Sequence, residues 1–245
     1  MAKPKKKQIH KKASSRAKPA RKKSSKSGAT AAKGTDPGRV RAILAKLNEA
    51  YPAAECALTH ENPFQLLIST ILSAQCTDVR VNQVTQTLYK KYRTPKDFAL
   101  ASPSELEQEI RPTGFFRNKT KSIMGASKKI VDDFGGQVPR IMEELLTLPG
   151  VARKTANVVL GSGFGIASGI VVDTHVLRLS ERLDLSRNTD PGKVEQDLVR
   201  IIPQDRWILF SHQLISHGRQ VCHARNPKCL ECTLEPLCYS KDKTN

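Results

Sequence analysis

The amino-acid sequence predicts an all-α protein, and three observations point to that class. First, Asp, Asn or Ser directly precedes a proline at several points, four of which we interpret as a helix N-cap followed by proline in the first turn. Second, apolar residues recur at helical spacing in the segments that follow. Third, no segment shows the sustained apolar–polar alternation of a half-buried strand. The four start signals are Asp36-Pro37, Asn62-Pro63, Ser102-Pro103 and Asp190-Pro191.

Residues 1–35 precede the first of these signals and have the composition of a disordered tail. They contain eleven Lys, two Arg and no acidic residue, so they carry +13 of the formal net charge of +18. Ile9 is their only large aliphatic residue after Met1, so burial cannot offset the entropy of ordering them. We expect an electrostatic tether to an anionic partner, with a purely solubilising tail as the alternative.

The overall charge indicates what kind of partner the chain binds. The 245 residues contain 41 Lys and Arg against 23 Asp and Glu, which favours nucleic acid first and an anionic membrane surface second. No run of about 18 apolar residues exists that could span a bilayer. The basic N-terminus also lacks the apolar core of a secretory signal, so we expect no membrane association.

The segments after the start signals carry apolar stripes at helical spacing. Residues 64–72 are apolar on most sides, which predicts a helix buried at the centre of the fold. A later helix should end at Gly135-Gly136, because glycine readily adopts the conformation that closes a helix. Residues 170–172 are β-branched but too few to predict a strand. The stripes are formed by Val40, Ile43, Leu44 and Leu47, by Val81, Val84 and Leu88, and by Ile123, Ala126, Ile130 and Val131.

Residues 142–160 predict two short helices joined by a tight apolar turn, a helix-hairpin-helix. The first helix should end near residues 143–146, the turn occupies residues 148–152, and a second helix begins at Arg153. Unpaired N–H groups and the positive dipole end of that second helix can bind a phosphate, and Gly150 lets the backbone approach closely. Such contacts position DNA without reading its sequence. An ordinary corner between packed helices is the alternative.

Lys154 and Asp173, which both follow the turn, are candidate catalytic residues. Lys154 lies in the first turn of the second helix, where the helix dipole and the adjacent Arg153 favour the neutral amine that a nucleophile requires. A solvated surface lysine is the alternative. Asp173 follows 19 residues later and can stabilise a cationic, oxocarbenium-like sugar. It can also cap the helix that carries Val176 and Leu179, and the two roles are compatible.

Four of the six cysteines lie close together, with the spacing Cys222-x6-Cys229-x2-Cys232-x5-Cys238. Without a secretion signal we expect a reducing compartment, so this set indicates a metal site rather than disulfides. Zinc ribbons and fingers separate their ligand pairs by roughly a dozen residues or more, whereas these four thiols lie within 17 residues. Four thiolates form the ligand set of a [4Fe-4S] cluster. A four-thiolate zinc site and unligated thiols are the alternatives.

Three motifs together carry a family resemblance. Residues 148–156 (LPGVARKTA), residues 172–175 (VDTH) and the C-x6-C-x2-C-x5-C set closely resemble the endonuclease III family of helix-hairpin-helix DNA glycosylases. Residues 72–78 (LSAQCTD) are similar to a further segment of that family. The resemblance covers residues 36–239 and supports the [4Fe-4S] cluster as the cofactor.

The resemblance implies two helical domains with a DNA cleft between them. Residues 56–167 would form a six-helix domain containing the helix-hairpin-helix. Residues 36–55 and 168–245 would form the [4Fe-4S] cluster domain, outside which the tail of residues 1–35 extends. The expected partner is double-stranded DNA containing damaged bases or abasic sites. We expect a monomer in the cytoplasm, associated with the bacterial nucleoid.

The resemblance also implies a DNA glycosylase with AP lyase activity. Lys154 would attack C1′ of a flipped nucleotide with help from Asp173, and β-elimination from the Schiff base would nick the strand 3′ to the abasic site. Oxidised pyrimidines of the thymine glycol type are the expected substrates. Gln75 would fill the space left by the flipped base, and Phe115 would insert as an apolar wedge, with core packing as its alternative. The other predicted DNA contacts are Gly150, Val151, Ala152, Arg153, Thr155 and His175.

Three features depart from the family pattern. Ala152 stands where a second glycine is usual, Phe115 is bulkier than the usual leucine, and the loop of residues 161–172 contains four glycines and is one residue longer. The changed loop and Ala152 favour one alternative function, an iron–sulfur DNA-binding redox sensor with weak or no catalysis. A glycosylase for pyrimidine dimers is the other alternative, since the resemblance extends to relatives that share these motifs and act on dimers. No role beyond packing or surface exposure is predicted for His60, His212 and His217.

Overall fold

A computed structural model describes Met1 and residues 33–244 of the chain. All regular elements in these residues are helical and no strand occurs among them, so the predicted all-α class is confirmed. The tail predicted for residues 1–35 lies outside the described residues, except for Met1 and the short 3-10 helix Lys33–Thr35. Within the described range, the helices are all too short or too polar to cross a membrane.

Eleven α-helices form the described part of the chain, and several are only one or two turns long. They are α1 (Pro37–Ala50), α2 (Pro63–Leu72), α3 (Asp78–Lys91), α4 (Pro95–Ala99), α5 (Pro103–Ile110), α6 (Phe116–Phe134), α7 (Met142–Leu145), α8 (Arg153–Val158), α9 (Thr174–Arg182), α10 (Pro191–Ile201) and α11 (Trp207–Gln220). Further 3-10 helices are Arg111–Thr113, Gln204–Arg206, Cys229–Glu231 and Glu235–Leu237. A π-helical turn, Val159–Gly163, continues α8 directly.

The predicted start signals all mark the first residue of a helix. The side chains of Asp36, Asn62 and Asp190 each accept a hydrogen bond from the backbone N–H three residues later, at 3.0, 2.9 and 3.0 Å. These bonds satisfy donors that the first turn of a helix leaves unpaired. Ser102 is the exception, since its side chain makes no capping bond and its hydroxyl lies 3.0 Å from the hydroxyl of Ser104.

Two further helix boundaries follow from local chemistry. Thr94 begins α4 with a reciprocal capping box, in which its hydroxyl accepts from the Asp97 N–H at 3.2 Å and the Asp97 carboxylate accepts from the Thr94 N–H at 2.9 Å. This start was not among the predicted signals. At the other end, α6 stops at the predicted glycine pair, where Gly135 and Gly136 have φ values of +59° and +79°.

The apolar stripes pack into two separate hydrophobic clusters. The first lies between residues 58 and 171 and centres on α2, whose residues 64–72 are all buried as predicted. The second combines the buried face of α1 with residues of α9, α10 and α11. Every residue of the three predicted stripes is buried except Val131, which is half-buried. The clusters parallel the two predicted domains, but the domain boundaries stay a prediction.

Residues 170–172, which belong to no regular element, run between the two clusters. Ile170 and Val172 pack into the second cluster, whereas Val171 between them packs into the first. The Val171 N–H is bonded to the Ser211 hydroxyl at 3.1 Å rather than to a neighbouring strand. The β-branched run therefore serves two cores without forming a sheet, and it fixes the position of Asp173, the next residue.

Candidate active site

The predicted helix-hairpin-helix is formed by α7 and α8. Gly150 in the turn between them has a φ of +78°, a conformation that residues with a Cβ rarely adopt. A Cβ at this position would lie 2.5 Å from the Ser122 Cβ of α6. Both the backbone conformation and the contact with α6 therefore require glycine. The neighbouring Val151 is buried in the first cluster, so only its backbone can face a phosphate.

Ala152 is the N-cap residue of α8, and its backbone is extended, with φ −100° and ψ 171°. Any residue adopts this conformation, so replacing the usual glycine by alanine imposes no backbone strain here. No side chain caps α8. The arrangement leaves the exposed start of α8 open, as the predicted phosphate contact requires, although the contact itself stays a prediction.

Arg153 is tied to a buried carboxylate rather than left free in solvent. Its Nε and Nη2 donate to Glu195 of α10 at 2.7 and 3.0 Å, and the Glu195 side chain is only 7% exposed. The same carboxylate accepts from the Asn157 amide at 2.8 Å. This bidentate pair fixes α8 against α10. It also compensates the charge of Arg153, which weakens the effect that the sequence predicts for Arg153 on the neighbouring Lys154.

The two candidate catalytic residues face one cavity. Lys154 in the first turn of α8 and Asp173 at the start of α9 both line a cavity of about 140 Å³. The structure therefore brings together two residues that the sequence separates by 19 positions. Thr155 is half-buried on the same turn of α8. The cavity is lined by elements that pack in both clusters, and its polar or charged lining also includes Glu55, Thr70, Ser73, Asp78, His212, Ser216 and Arg219.

Asp173 caps α9, as its position predicted. Its Oδ1 accepts from the backbone N–H groups of His175 and Val176, both at 2.8 Å. The two bonds hold the carboxyl group in a fixed orientation beside the cavity. Because both bonds use Oδ1, the second carboxylate oxygen takes no part in the cap. Capping and a charge-stabilising role are compatible in this geometry.

His175 lies behind Asp173 and links it to the cysteine loop. Its Nδ1 is 3.3 Å from Nη2 of Arg178, which donates to the Cys222 carbonyl at 2.8 Å. The ring packs so closely on Gly218 that a Cβ there would lie 2.9 Å from Nδ1. Burial lowers the pKa of His175. The ring is thus engaged with the protein, and the DNA contact predicted for His175 stays a prediction.

Sequence reasoning missed the role of α11 in the cavity. His212 was assigned to packing or the surface, yet it lines the cavity with Lys154 and Asp173. Its Nε2 lies 3.0 Å from the Ser162 hydroxyl, and burial lowers its pKa. A signal was present, because His212, Ser216 and Arg219 recur at helical spacing and so share one face of α11.

Gln75 and Phe115, the predicted DNA-distorting residues, share an unusual backbone. Their φ values are +53° and +46°, in the left-handed region that residues other than glycine rarely occupy. Both side chains are exposed, Phe115 by 62%. The core-packing alternative is therefore wrong for Phe115. Phe116, in contrast, is half-buried and packs against the first cluster.

The four clustered cysteines surround a second cavity, close to Arg182. The Cys222 Sγ accepts from Arg182 Nη1 at 3.2 Å, and the Cys229 Sγ accepts from the Thr244 N–H at 3.4 Å. The Cys232 Sγ lies 3.3 Å from Nε2 of His217, a buried residue whose Nδ1 lies 3.0 Å from the Tyr51 hydroxyl. His60, the third histidine without a predicted role, bonds the Leu58 carbonyl at 2.7 Å.

The spacing of these thiols bears on the kind of metal group they could hold. Among the described residues, no three His, Cys, Asp or Glu side chains approach closely enough to bind one metal ion. A zinc site brings all four sulfurs to about 2.3 Å from a single ion. In a [4Fe-4S] cluster, the thiolates are distributed over several iron atoms. Four thiols that line one cavity are donors of the kind that both groups use.

Comparison with known proteins identifies the class of protein. A family model described as "HhH-GPD superfamily base excision DNA repair protein" matches residues 68–204. These residues include the hairpin, Lys154 and Asp173.

The similar proteins fall within one family. Endonuclease III of Synechocystis sp. is 56% identical over 202 residues, which cover 82% of this chain and 92% of the relative. The Bacillus subtilis enzyme is 47% identical over 84% of this chain and 94% of its own length. The Escherichia coli K12 enzyme is 37% identical over 83% and 96%. The chain therefore belongs to the endonuclease III family.

Solved structures agree with this assignment. A non-covalent endonuclease III–DNA complex has a TM-score of 0.80 at 45% identity and covers 83% of this chain and 95% of that one. A trapped endonuclease III–DNA covalent intermediate has the same TM-score and identity, with coverages of 83% and 96%. By its family, the present chain is a DNA glycosylase and AP lyase of base excision repair, and DNA is its partner.

Proposed function

We propose that this enzyme excises oxidised pyrimidines of the thymine glycol type from duplex DNA, with Lys154 as the nucleophile and Asp173 as the charge-stabilising carboxylate. One observation carries the proposal: the amine and the carboxylate line the same cavity, although they belong to different helices. A protein that only bound DNA would need neither group. The trapped covalent complex formed by a related endonuclease III is further support.

The reaction follows from the chemistry of these two groups. The damaged nucleotide is turned out of the duplex into the cavity. The neutral Nζ of Lys154 bonds to C1′, the bond from C1′ to the base breaks, and the base leaves with a proton. Asp173 stabilises the positive charge that develops on the sugar. The sugar ring then opens: the C1′–O4′ bond breaks, O4′ takes a proton and C1′ becomes double-bonded to Nζ, which is the Schiff base. Loss of a proton from C2′ of this Schiff base expels the 3′ phosphate and nicks the strand, and hydrolysis by water releases Lys154.

DNA is held by the hairpin and distorted by two loops in this proposal. The backbone of Gly150, Val151 and Ala152 at the start of α8 faces a phosphate, which fixes the position of the strand. Phe115 enters the base stack as an apolar wedge. Gln75 fills the space that the extruded nucleotide leaves. Both side chains are exposed, as insertion requires, and both residues have left-handed backbone.

We also propose that the four clustered cysteines hold a [4Fe-4S] cluster. Cys222, Cys229, Cys232 and Cys238 would be the ligands, and the cluster would cross-link the loop that follows α11. The reaction above needs no electron transfer, so the contribution of the iron–sulfur cluster there is structural.

We further propose that the two hydrophobic clusters are the cores of the predicted domains. These domains would be residues 36–55 with 168–245, and residues 56–167. A monomer acting at the bacterial nucleoid is in keeping with a DNA partner.

The cluster proposal makes a spectroscopic prediction. Purified protein is expected to be brown, to absorb near ~400 nm and to contain about four iron atoms per chain, as a [4Fe-4S] cluster requires. Cys232→Ser should lose this absorbance, because it removes one ligand. Cys76→Ser is the matched control and should keep it, since Cys76 lies outside the four-cysteine set. Colourless protein with stoichiometric zinc would contradict the assignment.

The substrate is tested by borohydride trapping on duplex DNA that carries either thymine glycol or a pyrimidine dimer. Reduction converts the Schiff base into a stable protein–DNA adduct. An adduct with thymine glycol is expected. An adduct with the dimer alone would keep the lysine chemistry but assign the enzyme to the dimer-specific alternative. Tight binding without an adduct on either duplex would favour the iron–sulfur DNA-binding sensor.

A further inference from the structure

Lys119 on α6 is a buried lysine to which the reaction gives no role. The residue is 4% exposed, and its Nζ donates to the backbone carbonyls of Leu72 at 2.8 Å and Thr113 at 2.7 Å. Among the described residues, no carboxylate pairs with it. A buried ammonium without a counter-ion is unfavourable, and burial lowers the pKa of Lys119. Such a residue must satisfy a specific structural requirement.

The two carbonyls explain how the ammonium is stabilised there. Leu72 is the last residue of α2, and Thr113 is the last residue of the 3-10 helix Arg111–Thr113. Carbonyls at the end of a helix lack intrahelical partners, and a cation near the C-terminal end interacts favourably with the helix dipole. Lys119 therefore joins the ends of two helices that are distant in sequence.

Each joined helix end leads directly into a DNA-distorting loop. Gln75 follows Leu72 by three residues, and Phe115 follows Thr113 by two. Both residues are exposed and have positive φ values of +53° and +46°. Backbone of this kind persists only when the surrounding structure determines it. The ammonium of Lys119 bonds to the last helical residue before each of the two loops, Leu72 and Thr113.

We propose that Lys119 is a positioning residue that sets the separation between Gln75 and Phe115, so that the two side chains enter the base stack together. Lys119 is buried and does not line the cavity of Lys154, so we expect it to act through the two loops. The proposal rests on the roles proposed above for Gln75 and Phe115. It predicts that Lys119 matters where a base pair has to be opened and not where the abasic sugar is already accessible.

The test compares Lys119→Met with Lys121→Met, which removes the same charge from an exposed position on the same helix. With Lys119→Met, single-turnover excision from thymine glycol duplex is expected to fall about 10- to 100-fold, the range for misplaced positioning groups. Fluorescence of 2-aminopurine placed beside the lesion should lose its rise on binding. Borohydride trapping on single-stranded abasic DNA should stay within about twofold of the original protein. Lys121→Met should leave all three readouts unchanged.

A cycle with the loop residues separates positioning from general destabilisation. In a Gln75→Ala, Phe115→Ala background, Lys119→Met should cause little further loss, because residues that act as one unit are not additive. Equal loss on duplex and single-stranded DNA, or full additivity in the cycle, would overturn the positioning role. If Lys119→Met does not fold, Lys119→Gln, which keeps donors for one carbonyl, provides the same comparison. Failure of the original protein to trap on any substrate would instead reject the proposed function.

Discussion

Replacing Lys154 by Gln is expected to abolish strand nicking and borohydride trapping while DNA binding persists. The change removes the amine that forms the Schiff base, so turnover should fall on the order of 10⁴-fold or more, as for other covalent nucleophiles. Folding should be unaffected, because Lys154 is exposed and forms no hydrogen bond or ion pair with the described residues. Trapping on abasic duplex and binding by fluorescence anisotropy measure the two effects separately.

Lys193→Gln is the matched control for this variant. Lys193 is also an exposed lysine in the first turn of a helix, but it lies outside the cavity of Lys154. The two variants change the net charge equally, so any difference between them reports on chemistry and not on electrostatic attraction to DNA. Covalent trapping that persists in Lys154→Gln would contradict the proposed mechanism.

The fold was largely predictable because its signals are local. An Asp or Asn before a proline predicts where a helix begins, and a stripe of aliphatic residues predicts which face of that helix is buried. Residues 64–72 illustrate this, since a segment apolar on most sides has no stable place except the centre of a core. The start of α4 was equally readable from Thr94 and Asp97.

The site was less predictable, because its parts meet only after folding. The pairing of Arg153 with Glu195 joins residues 42 positions apart, and no spacing rule connects them. Arg153 looked like a free cation beside Lys154, whereas the structure compensates its charge. Likewise, the sequence alone does not show whether alanine in place of the usual glycine strains the backbone at position 152. The extended backbone of Ala152 shows that it does not. Family resemblance is what assigns Lys154 and Asp173, since dipole and capping arguments alone leave both residues with ordinary alternatives.

Asp173→Asn is expected to separate the two functions of that residue. Asparagine is as good an N-cap as aspartate, so the bonds to His175 and Val176 should persist and Tm should stay within roughly 1 °C of the original value. The carboxylate charge beside the sugar is lost, however. Base excision from thymine glycol duplex should therefore fall about 10²- to 10³-fold, the usual effect of removing one preorganised electrostatic group.

Two other variants complete the comparison. Asp190→Asn changes the N-cap of α10 in the same way, at a residue that does not line the cavity, and should retain full excision. Asp173→Ala removes charge and cap together, so it should lose excision and also about 1 kcal/mol of stability, which lowers Tm by roughly 2–4 °C in a protein of this size. Wild-type excision by Asp173→Asn would leave the residue as a helix cap only. Because Lys154 is intact in all three variants, trapping on a preformed abasic site should persist, which places the contribution of Asp173 at the step where the base leaves.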